Sequence, residues 1–199
     1  PGKGTQANGL YMDDRVGNVL IDSNTVYNCA GAGVLIHNAF NITLTNNTII
    51  GSVTEIPNEG GACIRFTDNE SDAPGIDIAG IKMTGNKFFS LTQYINTLHY
   101  TTDAGKISSI SGAFTAADSN YYIKPAISNL KAAYITYGIP DPSNWISLSE
   151  WRSLIGRELH SAGTPLSAPL TSLSQFHFLY NKTSSVKTYS ISAKLRDAA

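Results

Sequence analysis

The stretches VLIDSNTVY (19–27), ITLTNNTII (42–50), IKMTGNKFF (81–89) and TAADSNYYI (115–123) align without a gap on Asn24, Asn47, Asn86 and Asn120. Two positions after each Asn stands an apolar residue: Val26, Ile49, Phe88, Tyr122. Three and five positions before it stand Ile21 and Val19, Leu44 and Ile42, Met83 and Ile81, weakening in the last copy to Ala117 and Thr115. Apolar residues spaced by two mark strands with one buried face, and the interruption at each Asn marks a turn between two strands. The Asn residues are 23, then 39 and 34 residues apart, and the excess lies in polar or Gly-rich inserts such as SVTEIPNEGG (52–61) and DNESDAPG (68–75). A unit this short cannot bury its own apolar face, whereas units stacked coaxially bury a continuous core. The pattern predicts an all-β chain, a parallel β-solenoid of about four rungs spaced by roughly 4.8 Å. Each Asn is expected at a tight corner, in the left-handed conformation, with its amide bonded to the Asn of the next rung.

A second set of stretches opens on glycine: GLYMDD (9–14), GVLIHN (33–38) and GACIRF (61–66). Aligned on Gly9, Gly33 and Gly61, they place Met12, Ile36 and Ile64 inward, so that Asp13, His37 and Arg65 point outward in one row about 10 Å long. An acid, an imidazole and a guanidinium so arranged form either a self-neutralising surface row or a site with a carboxylate, a proton carrier and a fork for anions. Asp14 adjoins Asp13 and offers a second carboxylate, His99 extends the row by one rung, and Tyr11, Tyr94 and Tyr100 offer aromatic faces to sugar rings. Asp68, Glu70 and Asp72 carry oxygen ligands of the kind calcium takes, but lack the glycine and distal glutamate of a recognised calcium loop. Calcium is thus the one cofactor alternative to none. His160 and His177 read as surface residues without partners.

The bulk composition narrows the partners. With 14 Lys and Arg against 15 Asp and Glu, and neither sign gathered into a run, the chain has no basic footprint for nucleic acid or for an anionic membrane surface. No apolar stretch reaches the length of a membrane span. Two cysteines, Cys29 and Cys63, make no disulfide framework and read as free thiols. A polar surface poor in charge suits an extracellular protein and sugar ligands.

The order of motifs, GLYMDD, NTVY, GVLIHN and NITLTNNTII, resembles the right-handed parallel β-helix proteins of the pectin-lyase-like superfamily. The resemblance is nearest to large secreted bacterial members and extends through SNYYIKP (119–125), SLSEWRSLIGRELHS (147–161) and the closing FHFLYNKTSSVKTYSISAKLRDA (176–198). It implies rungs over 1–125, a connector over 126–173 with a short helix near 149–157 capped by Ser149, and C-terminal strands over 174–199 forming a hairpin or partial sandwich. It also implies a C-terminal fragment of a longer secreted or cell-surface chain, whose remaining parts would be partners. Enzymes of this kind work on an outer sheet face. The resemblance therefore implies a polysaccharide lyase or glycoside hydrolase acting on a plant or algal polysaccharide, with Asp13, His37, Arg65 and Asp14 as catalytic candidates and Tyr11, His99 and Tyr100 lining the substrate. A non-catalytic β-helix adhesin or glycan-binding scaffold is the alternative.

Overall fold

The computed structural model describes residues 7–27, 29–51, 62–90, 96–123, 133–136 and 145–163. Four successive rungs each lay down three short strands. The first holds β1 (Leu10–Met12), β2 (Gly17–Asp22) and β3 (Thr25–Val26); the second β4 (Val34–His37), β5 (Phe40–Thr45) and β6 (Thr48–Ile50). The third holds β7 (Ala62–Asp68), β8 (Ile81–Thr84) and β9 (Lys87–Phe89); the fourth β10 (Asn96–Thr102), β11 (Phe114–Asp118) and β12 (Tyr121–Ile123). Each strand pairs in parallel with its counterpart one rung on, which produces three parallel sheets. The fold is a right-handed parallel β-helix.

Side chains alternate along each strand, and the inward set fills the axis: Val34, Ile36, Ile42, Leu44, Ile49 and Ile64 are fully buried. Toward the fourth rung the core becomes aromatic. Phe66 stacks on Tyr100 at 5.5 Å and meets Phe114 edge-on at 5.3 Å. Cys63 is buried, Cys29 is half-buried, and the two are not joined in a disulfide.

The Asn column is the axial tie. Asn24 donates from its backbone N and its Nδ2 to Asn47 Oδ1 (2.9 and 3.2 Å). Asn47 donates in the same way to Asn86 Oδ1 (3.0 and 2.9 Å), and Asn86 to Asn120 Oδ1 (2.9 and 3.0 Å). The second Nδ2 hydrogen serves the backbone of a preceding rung, Asn47 to Ile21 O at 2.8 Å and Asn86 to Leu44 O at 2.9 Å. Asn47, Asn86 and Asn120 are fully buried. The left-handed residue of each corner is not this Asn but the one before it: Ser23, Asn46, Gly85 and Ser119 have φ between 56° and 69°. The ladder Asn needs ordinary φ to aim both of its donors along the axis, so the corner strain falls on its neighbour.

Beyond the fourth rung the chain closes its own end. After the single turn α1 (Ile110–Ala113) inside the fourth rung and the strands that follow it, β13 (Ala133–Thr136) adds to β10 in parallel and β14 (Trp145–Ile146) pairs antiparallel with β13. Helix α2 (Leu148–Ile155) follows, and β15 (Ala162–Gly163) continues the third sheet beside β12. The helix begins one residue before the expected start region. Its N-cap is Ser147 rather than Ser149, because Ser147 and Glu150 form a reciprocal capping box. Gly156, left-handed at φ 65°, ends it. Trp151 is fully buried and meets Phe114 edge-on at 5.5 Å. Buried Glu158 then receives the ladder: Asn120 Nδ2 donates to its Oε1 and Oε2 (3.2 and 3.0 Å), Tyr122 donates to Oε1 at 2.6 Å, and the Ser161 hydroxyl donates to Oε2. Burial pushes the Glu158 carboxyl up, against the pull of these donors. These contacts tie the helix to the rungs within one compact unit, Pro1–Leu166. The second unit, Ser167–Ala199, which holds the strand pair expected over 174–199 and His177, lies outside the described residues.

Substituting Asn86 by Ala strips the acceptor from both Asn47 donors in a buried setting. Each stranded group costs about 1–3 kcal/mol, so a loss of roughly 3 kcal/mol or more is expected in denaturant unfolding. Asn24→Ala, at the exposed first rung, should cost far less. Ile49→Ala should cost about 2–5 kcal/mol as a large-to-small core change.

Candidate functional site

The first sheet decides which polar residues meet. Leu10, Tyr11 and Met12 pair with Val34, Leu35 and Ile36, which brings Asp13 beside His37 as the glycine alignment requires. The next strand departs from it. Leu35 pairs with Arg65 and His37 with Thr67, so β7 is set two residues away from the alignment on Gly61. Both registers keep the same faces inward, so alternation cannot choose between them. The neighbours do. A Cβ on Gly33 would lie 2.4 Å from Ile49 Cγ2 and 2.8 Å from Cys63 O, so the crowded glycine sits on Cys63.

The expected single row Asp13–His37–Arg65 therefore separates into two columns. One continues from Asp13 and His37 to Thr67 and Thr101; the other runs from Tyr11 through Leu35 and Arg65 to His99. His99 does lie one rung beyond Arg65, but at 5 % exposure it is not a surface a substrate could line. Burial, with the Arg65 guanidinium adding to it, pushes its imidazole down to about 3. Tyr100 faces the core, fully buried against Phe66, because it stands at odd parity to His99 along β10. Tyr94 lies outside the described residues.

What the structure assembles instead is a corner around His37, the last residue of β4. Its Nδ1 lies 3.3 Å from Asp13 Oδ1, 3.6 Å from Asp14 Oδ1 and 3.1 Å from Tyr11 Oη. Its Nε2 lies 3.2 Å from Asp72 Oδ2 and 3.3 Å from Asn69 Oδ1. Asp14 thus turns toward Asp13's side, as a strand-end residue can. Tyr11 donates to Asp13 Oδ1 at 2.7 Å and its ring lies nearly parallel to the imidazole, 15° apart. The Tyr11 bond is the main cause that lowers the Asp13 carboxyl. Partial burial and that same anion raise the Tyr11 phenol. The Asn69 amide holds the Asp72 carboxyl below its usual range. Both acids are ionised at neutral pH.

Buried Asn38, left-handed at φ 41°, locks the corner from beneath. Its Nδ2 donates to Asp14 Oδ1 (3.1 Å) and Asn69 Oδ1 (3.0 Å), and its Oδ1 accepts from Asn69 N (2.9 Å). Asn69 and Asp72 were not singled out in the sequence as partners of His37. Both lie in the insert DNESDAPG, whose path no periodicity describes. The one available signal is Asn38 itself, a polar residue directly after an inward-outward strand.

The three acids considered for calcium divide between two places. Asp72 joins His37, while Asp68 and Glu70 approach Lys106 Nζ at 3.7 and 2.7 Å, with Asp77 beside them. The ammonium occupies the point on which those oxygens converge. His160 is exposed but partnered, its Nδ1 lying 2.6 Å from Asp118 Oδ2.

Residues 3–90 match the family model described as the right handed beta helix region. Such regions occur in carbohydrate-active enzymes and in adhesins. No curated protein and no solved structure matches the chain significantly. No helix among the described residues is long and apolar enough to cross a membrane.

His99 supplies a pH test. Its folded value of about 3 lies below the ordinary 6.5, so the stability carried by the neutral ring is complete above 6.5 and is lost as pH falls toward 3. An NMR titration of the folded protein should show no His99 transition near 6.5. A transition there would place the ring in solvent.

Proposed function

We propose that this chain is part of an extracellular carbohydrate-active protein and that the Asp13–Asp14–His37 corner is a glycoside-hydrolysing site for a plant or algal polysaccharide. One observation carries the reading: an imidazole held among three carboxylates and a phenol on the outer face of a β-helix sheet. Glycoside hydrolysis needs a carboxylate that stays ionised to act as base or nucleophile and a second group that delivers a proton to the leaving oxygen. Asp13, exposed and held ionised by Tyr11, suits the first role. His37 and Asp14 suit the second.

Charge favours hydrolysis over elimination. A lyase must neutralise the uronate carboxylate beside the carbon it deprotonates, and the guanidinium expected for that task, Arg65, stands in the neighbouring column. A uronate placed here would instead meet three carboxylates, each repelling it by about 1 kcal/mol at 4 Å in bulk water and several-fold more near a protein surface. A neutral polysaccharide meets no such penalty. Tyr11, 48 % exposed, offers a face on which a sugar ring can stack.

The glycan-binding scaffold remains the second reading, favoured by a specific observation. Oxygens of all three acids, the phenol and both imidazole nitrogens already have partners within the corner, as in a closed surface network.

On a panel of plant and algal polysaccharides the protein is expected to release reducing ends from a neutral substrate. Asp13→Asn and His37→Ala should each lower turnover about 10²–10⁴-fold, Asp13→Asn with little change in melting temperature because exposed ion pairs contribute only about 0–1 kcal/mol. Unsaturated products from a uronate polymer would establish the lyase instead. Retained glycan binding with no turnover on any substrate would establish the scaffold.

A further inference from the structure

The same corner has a feature that neither a hydrolase nor a scaffold requires. Asn69 Nδ2 donates to Asp72 (2.8 Å), and Asn38 Nδ2 donates to Asn69 Oδ1, so the Asn69 atom facing His37 Nε2 is an acceptor. Asp72 Oδ2, the other neighbour of Nε2, is an acceptor as well. The proton of a neutral ring is therefore committed to Nε2, and the Nδ1 lone pair points the other way. There it meets Asp13 Oδ1, Asp14 Oδ1 and the Tyr11 oxygen, whose own proton goes to Asp13. Among the described residues the Tyr11 hydroxyl is the one group on that side able to donate to Nδ1, and its proton is taken by Asp13. Four electron-rich atoms share one gap open to solvent beside Asp13, whose side chain is 59 % exposed.

We propose that Asp13, Asp14 and His37 Nδ1 bind one divalent transition-metal ion of the Zn2+ class, with the Tyr11 hydroxyl beside it. The three donor atoms lie within 4.8 Å of one another, and the Nδ1 to carboxylate distances are 3.3 and 3.6 Å. An ion with bonds of about 2.0–2.2 Å in tetrahedral geometry sets its ligands roughly 3.4 Å apart. The two nitrogen-to-oxygen edges already have that length, and a movement of the exposed Asp13 carboxylate sets the third.

The far side of the ring agrees. A metal-ligating imidazole ordinarily donates its remote N–H to a carboxylate or carbonyl, which fixes the tautomer and orientation, and Asp72 and Asn69 stand in that place. An imidazole among the ligands selects a borderline ion over calcium or magnesium, which take oxygen. The inference rests on the donor set and not on catalysis, so it holds whether the corner hydrolyses a glycan or only binds one. In the first case the ion would activate the attacking water and would displace Asp13 and His37 from the base and acid roles given above, since a carboxylate oxygen and a ring nitrogen that ligate an ion do not also attack or carry the proton; in the second it would bridge to sugar hydroxyls.

The test is calorimetric titration of Zn2+ into the untagged, chelator-treated protein, with Ca2+ as comparison and activity left out of the readout. One Zn2+ per chain is expected, together with a rise in melting temperature and a shift of the His37 ring signals. His37→Gln and Asp13→Asn should abolish binding, and Asp72→Asn should weaken it about 10–100-fold. His160→Ala, which removes the other exposed imidazole–carboxylate pair, should leave it unchanged. Circular dichroism of Asp13→Asn guards against misfolding, since that residue is exposed at a strand end. Absence of Zn2+ binding, loss with His160→Ala in place of His37→Gln, or equal binding of Ca2+ that survives His37→Gln would each overturn the proposal.

Discussion

One buried amide per rung holds this solenoid in register. Backbone hydrogen bonds between parallel strands tolerate a slip of two residues, because such a slip returns the same side chains to the same face. The Asn column does not. Each Oδ1 receives both the backbone N–H and the Nδ2 of the Asn one rung before it, and each Nδ2 also reaches a fixed carbonyl, so a slipped rung would strand several buried polar groups at once. The inserts that separate rungs vary in length without disturbing the stack, because the column fixes the rung after each insert rather than the path through it.

That constraint is also what made the fold legible. A nine-residue pattern with Asn at its centre encodes the corner, the inward residues on both sides of it and the axial tie within one local window. The first-sheet strands have no such marker. Glycine opens the first two and Gly61 invites the same alignment for the third, but Cys63 holds that place, and the difference of two residues moves Arg65 out of the His37 row. The parity of the alternation was right and its phase was wrong. Asp13 and His37 survived because β1 and β4 are joined by a rung without a long insert. Asn69 and Asp72 come from an insert, and the geometry by which they reach His37 depends on Asn38, whose left-handed backbone is a property of the fold rather than of its neighbours in sequence.

The insert between β7 and β8 has a consistent electrostatic logic. Its acids do not gather into one anionic loop; they are shared between an imidazole on one side and the Lys106 ammonium on the other. Asp68, buried at the end of β7, carries the cost: burial raises its carboxyl while Lys106 opposes the rise. The loop is thus pinned at two points, which fixes Asp72 closely enough to orient a ring whose other nitrogen faces Asp13 and Asp14.

The Asn column has a direction. The backbone N–H and one Nδ2 hydrogen of each Asn point toward α2, and at that end a buried carboxylate and a serine hydroxyl accept them. At the opposite end the column presents an acceptor, Asn24 Oδ1, on the exposed first rung. The solenoid therefore behaves along this line as a rod with unlike poles. Because Glu158 and Ser161 take up the last donors, the N–H pole is closed inside the molecule and the ladder is open to extension only from its acceptor side.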